Sequence, residues 1–177
     1  RFGVYVDMVF VSVNGYGGLT LLVAVVFYAI QIYADFSGCM DMVMGISALF
    51  GVDMDENFDK PFFSKSVAEF WRRWHITLGT WVKDYIYNPV FKSSFCRNVK
   101  YFVKKTPLKK KATNIIAAIA LMCVWLFTGT WHGAAMHYVF YGIYYGAIII
   151  FSMFMSNVYK TCHKKLPINW NSKEIGR

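Results

Sequence analysis

Long runs without charged residues dominate the pattern of hydrophobic and polar positions along this chain. The runs LTLLVAVVFYAIQIY and ATNIIAAIALMCVWLF carry no charge, and a third run contains one histidine and no charged residue. A helix needs about 20 apolar residues to span a bilayer, with about 17 as the lower end, and none of these runs alternates as a strand would. The pattern therefore predicts membrane-embedded helices over 19–34, 112–128 and 134–158.

A shorter apolar stretch, 38–51, carries Asp41 and several glycine and serine residues. Small residues allow helices to approach closely inside a membrane, so we expect a short helix packed against other helices rather than lipid. Glycines at the end of 1–18 predict a turn there, and Thr128–Gly133 is expected to form the turn between the last two spans. The fold class is all-α, a polytopic transmembrane helical bundle, with 1–177 as a single membrane domain.

The most polar part of the chain is 57–89, which reads NFDKPFFSKSVAEFWRRWHITLGTWVKDYIYNP. Ser66 followed three residues later by Glu69 predicts a capping box at a helix start. Apolar residues then recur at helical spacing, which predicts that residues 66–86 are mainly helical. The residue before a proline avoids the helical region, so Asn88 is expected to end the pattern.

On a helix with about 100° per residue, three side chains of this stretch share a face: Trp71, His75 and Leu78. We expect them to face protein, while Arg72 faces phosphate or solvent. An amphipathic, Trp- and Arg-rich helix also fits a position in the headgroup layer, so the predicted helix is partly interfacial.

Composition and charge agree with a membrane protein. The chain is 56% hydrophobic, against about 45–50% apolar residues in soluble domains. Its net charge of +9 is concentrated, because eight Lys and Arg lie within 92–111 without an acid and five more follow Tyr159. Basic segments flanking apolar runs are typical of the cytoplasmic side, so we predict a basic loop over 92–111, broken by Pro107, on the same side as the C-terminal tail. No motif points to nucleic acid.

The candidate chemistry lies with the histidines. His132 stands between Gly129 and Gly133 in the sequence TGTWHG, and imidazole can act as a general acid or base near neutral pH. An equally open alternative is that His132 only hydrogen-bonds a neighbouring helix. His137 is interpreted as structural and His163 as solvated. The spacings of histidines and cysteines predict no metal site.

Three blocks in this order resemble the membrane-bound O-acyltransferase (MBOAT) family: IQIYADFSGCMDMVMGISALFG, ENFDKPFFSKSVAEFWRRWHITLGTWVKDYIYNPV and LFTGTWHGAAMHYVFYG. The similarity covers about residues 20–155 and is greatest to the bacterial branch that acts in alginate O-acetylation and in D-alanyl transfer to teichoic acid. It implies that the chain is the C-terminal part of a longer enzyme. Where alginate-type members continue with a Gly-Gly pair, this chain has Asn88-Pro89, which leaves the substrate open.

The resemblance also implies a mechanism and its residues. An acyl thioester, carried by coenzyme A or an acyl carrier protein on the cytoplasmic side, would meet a hydroxyl of an extracytoplasmic glycan or teichoic acid, with or without a partner acyltransferase. No bound cofactor is expected. The two histidines of the family match His132, the expected general base, and His75, and both are expected to open on one cavity. The group that would donate a hydrogen bond to the developing oxyanion could be His75 or the indole of Trp131 or Trp74. The residues expected to bind substrate are Trp131, Trp74, Asp35 and Arg72.

Two other classes of function remain as alternatives at this point. A transporter or channel segment could use His75, Asp35 and His132 to relay protons or to line a pore, because ionisable groups inside membranes usually have a role or a partner. A non-catalytic membrane scaffold is the third hypothesis. The combination of the WRRWH and TWHG blocks favours the acyltransferase in the plasma membrane, because a transporter does not need both.

Overall fold

The structure, a computed structural model, describes the backbone of residues 2–165 and the side chains of residues 3–155. Within these residues the chain is helical for most of its length. The α-helices are α1 Phe2–Val11, α2 Gly18–Leu49, α3 Val67–Arg73, α4 Ile76–Val82, α5 Asn88–Lys92, α6 Ser94–Lys104, α7 Ala112–His132 and α8 Met136–Lys165. Shorter turns link them: 3₁₀ turns at Val13–Gly15, Pro61–Phe63 and Pro107–Lys111, and a π-helical turn at Lys83–Tyr87.

Among the residues that the structure describes, three helical segments are long and apolar enough to cross a membrane: Gly18–Leu49, Pro107–His132 and Met136–Met155. The predicted all-α class is confirmed. Each of the three predicted spans is also confirmed, although the helices begin or end at residues other than those predicted. A continuous helix satisfies its own backbone hydrogen bonds, and for this reason uncharged runs of this length form helices in lipid.

The prediction of two separate helices over 19–34 and 38–51 is wrong, since α2 runs unbroken for 32 residues. Asp35 and Gly38 lie inside it, because neither a carboxylate nor a glycine interrupts the backbone ladder as a proline does. The expected close packing is also absent from the described part of the chain. A Cβ added at Gly38 or Gly45 would meet nothing within 4 Å.

The chain divides into two compact units. The first comprises the chain up to Pro61 together with Arg73–Thr77. Within it, α1 packs along α2, with aromatic edge-to-face contacts between Tyr5 and Phe27 and between Phe10 and Tyr28. Such contacts are typical of aromatic pairs, whose ring edges are attracted to ring faces.

The second unit comprises Phe62–Arg72 and the chain from Leu78 onward, and α7 and α8 form its largest packing interface. A short turn after Gly133 joins the two helices into a hairpin. They approach closely at Gly129 and Gly142, where an added Cβ would run into the backbone of the facing helix. Lys111 Nζ lies 6.0 Å from the ring centroid of Phe154, so the start of α7 and the later part of α8 lie at the same end of the hairpin.

The predicted turn over Thr128–Gly133 is wrong, because α7 continues through His132. The hydroxyl groups of Thr128 and Thr130 donate to the carbonyls of Val124 and Leu126, one turn back, at 2.9 and 3.0 Å. These threonines therefore meet their hydrogen-bonding needs within the helix and do not end it.

The prediction that residues 66–86 are mainly helical is confirmed, although the helix is interrupted once. Ser66 Oγ accepts from the backbone N of Glu69 at 3.1 Å, and the Glu69 carboxylate accepts from the backbone N of Lys65 at 2.9 Å. The capping box is thus confirmed, with the carboxylate reaching one residue further back than expected. The helix stops at Arg73 and resumes at Ile76, so no single helical face carries Trp71, His75 and Leu78.

Two further expectations for the following segment are wrong. Asn88–Pro89 does not end the helical pattern, since Pro89 lies in the first turn of α5, where its missing N–H is not needed. Residues 92–111 are not a loop: α6 occupies most of the segment, with Ser93 Oγ accepting from Cys96 N at 3.2 Å as its N-cap. Pro107 does mark a boundary, the start of a 3₁₀ turn.

Candidate functional site

His75 lies between α3 and α4 in a conformation that is uncommon for a residue with a side chain. Its φ is +50°, in the left-handed region, and holding a non-glycine residue there costs on the order of 1–3 kcal/mol. Hydrogen bonds on both sides stabilise it. Asp59 N donates to Arg73 O and Ile76 N donates to Asn57 O, both at 3.0 Å.

These bonds tie the histidine to the segment that follows α2. Phe58 and Trp74 form an antiparallel bridge, and the guanidinium of Arg73 reaches the carbonyl of Asp59 at 3.4 Å. Residues 57–59 and 73–76 therefore run side by side within the first unit, and His75 belongs to the second of these pieces.

The Asn57 side chain contacts the His75 ring directly. Asn57 is 1% exposed, and its Oδ1 lies 2.9 Å from His75 Nδ1. The same oxygen accepts from Thr77 N at 3.3 Å and from Thr77 Oγ1 at 2.7 Å. The two lone pairs of this buried amide oxygen are thus shared among three polar groups from two residues.

An aromatic cluster of the first unit reaches His75 through Phe36. Phe36, on α2, meets the imidazole edge-to-face with ring centroids 4.8 Å apart. Trp74 packs against a set of rings that extends this cluster: Tyr33, Phe36 and Phe58. The structure thus brings Trp74 and His75, both predicted site residues, into one aromatic environment.

His132 ends α7 in the second unit, and its ring is exposed among aromatic neighbours. The Trp131 ring meets it edge-to-face at 4.9 Å, and Tyr138 stacks on it at 6.3 Å. Tyr141 approaches at 6.0 Å. A Cβ at Gly133 would collide with the Tyr138 ring, so glycine at this position lets Tyr138 come close to the turn.

A second aromatic cluster lies beside this one on α3, α7 and α8. Trp71 touches the rings of Trp125 and Tyr145, each with centroids 5.0 Å away, and Tyr141 at 6.3 Å. The indole nitrogen of Trp71 is buried without a hydrogen-bond partner in the described part of the chain. Because Tyr141 also contacts His132, an unbroken series of aromatic contacts joins Trp71 to the histidine.

The remaining predicted residues that the structure describes are exposed on their helices. Asp35 is exposed on α2, one residue before Phe36, and Arg72 is exposed on α3 as expected. Trp131 is 54% exposed despite its contact with His132. His137 is exposed and its ring lies 4.1 Å from that of Tyr138. The side chain of His163 lies outside the described residues.

His75 and His132 belong to different units, so their shared cavity stays a prediction. Two residues were missed by sequence reasoning. Asn57 stands in the loop-like sequence DENFD, where nothing local distinguishes a buried asparagine from a solvated one. Tyr141 is one of 12 tyrosines; its spacing from Tyr138 on a helix is the only signal that could have pointed to it.

A comparison with family models finds the MBOAT, membrane-bound O-acyltransferase, family over residues 7–104. That range contains His75 and Asn57, and His132 lies beyond it. The matched range covers more than half of the chain.

Curated relatives extend the similarity. A protein named teichoic acid D-alanyltransferase of Bacillus subtilis is 32% identical over 80% of this chain. A probable alginate O-acetylase of Pseudomonas aeruginosa is 36% identical over 67%, and a peptidoglycan O-acetyltransferase of Helicobacter pylori is 30% identical over 79%. The chain spans 33%, 20% and 23% of the lengths of these relatives, respectively.

Proposed function

The chain belongs to the membrane-bound O-acyltransferase family, and from this membership we propose that it forms part of a multi-pass O-acyltransferase of the bacterial plasma membrane. The enzyme would move an acetyl or D-alanyl group from a thioester to a hydroxyl of a cell-envelope polymer. The match of the family model over residues 7–104 carries this proposal. The relatives are named as transferases to teichoic acid, alginate and peptidoglycan, which favours acyl transfer over transport.

In the proposed reaction, His132 acts as general base. As the acceptor oxygen bonds to the thioester carbonyl carbon, the hydroxyl proton passes to the His132 imidazole. The tetrahedral intermediate then breaks its carbon–sulfur bond, and the leaving thiolate takes the proton back. Such proton transfer contributes about 10²–10⁴-fold to a rate.

The position of His132 along the hairpin supports this role. α7 has 21 residues, which at about 1.5 Å per residue places His132 about 30 Å from the basic end of the helix. Lys109–Lys111 lie directly before the start of α7, and basic segments favour the cytoplasmic side. His132 would therefore stand toward the side from which an extracytoplasmic acceptor arrives, while the thioester, on coenzyme A or a carrier protein, would enter from the basic side.

A donor aimed at the developing oxyanion would add to catalysis in a site that excludes water. The Trp131 indole N–H is the proposed donor, because the Trp131 ring is in contact with that of His132. Trp74 is packed in the aromatic environment of His75 instead.

The test is acyl transfer by the full-length protein with acetyl and D-alanyl thioester donors. His132→Ala should lower turnover about 10²–10⁴-fold, His75→Ala should lower it less, and the control His137→Ala should stay near the parent. Full activity of His132→Ala would end the mechanism, and equal loss in all three variants would indicate misfolding.

Asp35 and Arg72 are proposed to bind substrate. Asp35→Asn and Arg72→Ala should raise KM for donor or acceptor with little change in kcat, because uniform binding is lost without loss of transition-state contacts. An unchanged KM for both substrates would remove these two residues from the site.

A further inference from the structure

We propose that Asn57 is a positioning residue that holds the neutral His75 ring in the tautomer with its hydrogen on Nδ1, so that Nε2 is the hydrogen-bond-accepting nitrogen. This inference rests on the proposed function and deepens it, because it assigns a chemical role to the earlier histidine. It is carried by the contacts between Asn57, His75 and Thr77.

The orientation of the Asn57 amide follows from Thr77. A backbone N–H can only donate, and Thr77 N points to the Asn57 side chain at 3.3 Å. The atom facing it is therefore the amide oxygen rather than the amide nitrogen, whose hydrogens would oppose it. The Thr77 hydroxyl lies 2.7 Å from the same atom, which agrees with an oxygen acceptor.

The protonation of the ring follows from that oxygen. An amide oxygen accepts and cannot donate, and it lies 2.9 Å from His75 Nδ1. Nδ1 must then carry a hydrogen. In the neutral ring only one nitrogen does so, and the lone pair is left on Nε2.

This tautomer limits what His75 can do. A neutral ring with its hydrogen on Nδ1 has no N–H at Nε2 to offer an oxyanion. It can accept a hydrogen bond from a hydroxyl group and so orient an acceptor for attack. Holding a reacting group in the correct geometry is itself a large part of catalysis.

The surroundings give the ring one orientation. Asn57 fixes the segment twice, through its side chain and through its carbonyl oxygen, which accepts from Ile76 N at 3.0 Å. Phe36 packs edge-to-face on the imidazole.

The direct experiment is ¹⁵N NMR of the full-length protein labelled at its histidine ring nitrogens, in lipid nanodiscs, at a pH well above the usual histidine pKa of about 6.5. Signals of His75 are assigned by their loss in His75→Ala. We expect a protonated Nδ1 and an unprotonated Nε2. A protonated Nε2 in the parent protein would overturn the proposal without recourse to any Asn57 variant.

Variants separate positioning from support of the fold. Asn57→Leu removes the acceptor. It should abolish the preference for Nδ1–H and lower acyl transfer by a fold-change that approaches but does not exceed that of His75→Ala, because Asn57 acts through that ring. The matched control Thr77→Val breaks the 2.7 Å bond to the same oxygen but leaves His75 its partner, so tautomer and most activity should persist. Asn57→Asp keeps an oxygen acceptor and should also keep the tautomer.

The outcomes are distinguishable. Equal loss of activity in Thr77→Val and Asn57→Leu, with an unchanged tautomer in both, would show that Asn57 only supports the fold and would overturn the proposal. If Asn57→Leu does not fold, the ¹⁵N spectra of the parent and of Asn57→Asp test the proposal instead, because both should show a protonated Nδ1 at His75. If no thioester donor is turned over but the tautomer is as expected, the proposed function fails while the assignment of Asn57 stands.

Discussion

Gly142→Ala tests the packing that holds His132 in place. Gly142 on α8 faces the backbone of α7, and an added Cβ would run into the carbonyl oxygen of Trp125 and lie 3.5 Å from the Cα of Gly129. Backbone atoms cannot rotate away as the end of a side chain can, so the two helices must separate. The substitution therefore perturbs the interface with the smallest possible side chain.

The magnitude follows from two opposing effects. Adding a methyl group to a closely packed interface costs about 1–3 kcal/mol, while alanine in place of glycine inside a helix contributes about 0.5–1 kcal/mol of stability. We expect a net loss of about 0–2.5 kcal/mol in the free energy of unfolding. Gly79→Ala in α4 is the control, because nothing lies within 4 Å of its added Cβ, and it should gain about 0.5–1 kcal/mol.

The assay is an SDS titration of the full-length protein in mixed micelles, followed by tryptophan fluorescence, with acyl transfer measured in parallel. Gly142→Ala should unfold at lower SDS than the parent and lose more activity than Gly79→Ala, because His132 lies on the helix that is displaced. Stabilisation of Gly142→Ala to the same extent as Gly79→Ala would refute the close approach of α7 and α8.

Three further predictions concern separate elements. Ser66→Ala should lower stability by about 1 kcal/mol and Ser66→Asp should not, as measured by the same titration. Cys96, which is fully buried, should react with a maleimide only after denaturation; rapid labelling of the native protein would contradict its burial. Lys105→Cys should be labelled by a membrane-impermeant reagent from the cytoplasmic side, and labelling from outside would reverse the predicted orientation.

Much of the helical content could be predicted because its causes are local. An uncharged run such as 112–127 forms a helix wherever it lies in lipid, since a helix satisfies its backbone internally. The capping box at Ser66 was equally predictable, because both partners lie within four residues of each other. Boundaries were less predictable, and α2 shows why: Asp35 and Gly38 suggested an interruption, but neither removes a backbone hydrogen bond.

The candidate site was predictable in its residue types and not in its geometry. Helical spacing around His75 favoured a helix that continues through it, whereas in the structure partners from residues 57–59 stabilise the histidine in the left-handed conformation. Asn57 lies 18 residues from His75, so no periodicity connects the two.

The sequence by itself determined where the spans lie, where α3 begins and which histidines belong to recognisable blocks, because runs of apolar residues, caps and short motifs act over a few positions. Only the tertiary structure decided that Asn57 meets His75 and that Gly129 and Gly142 let α7 and α8 touch. These contacts join residues separated by at least 13 positions. Whether a buried polar side chain finds a partner, or a glycine allows a close approach, depends on which part of the chain the fold places against it.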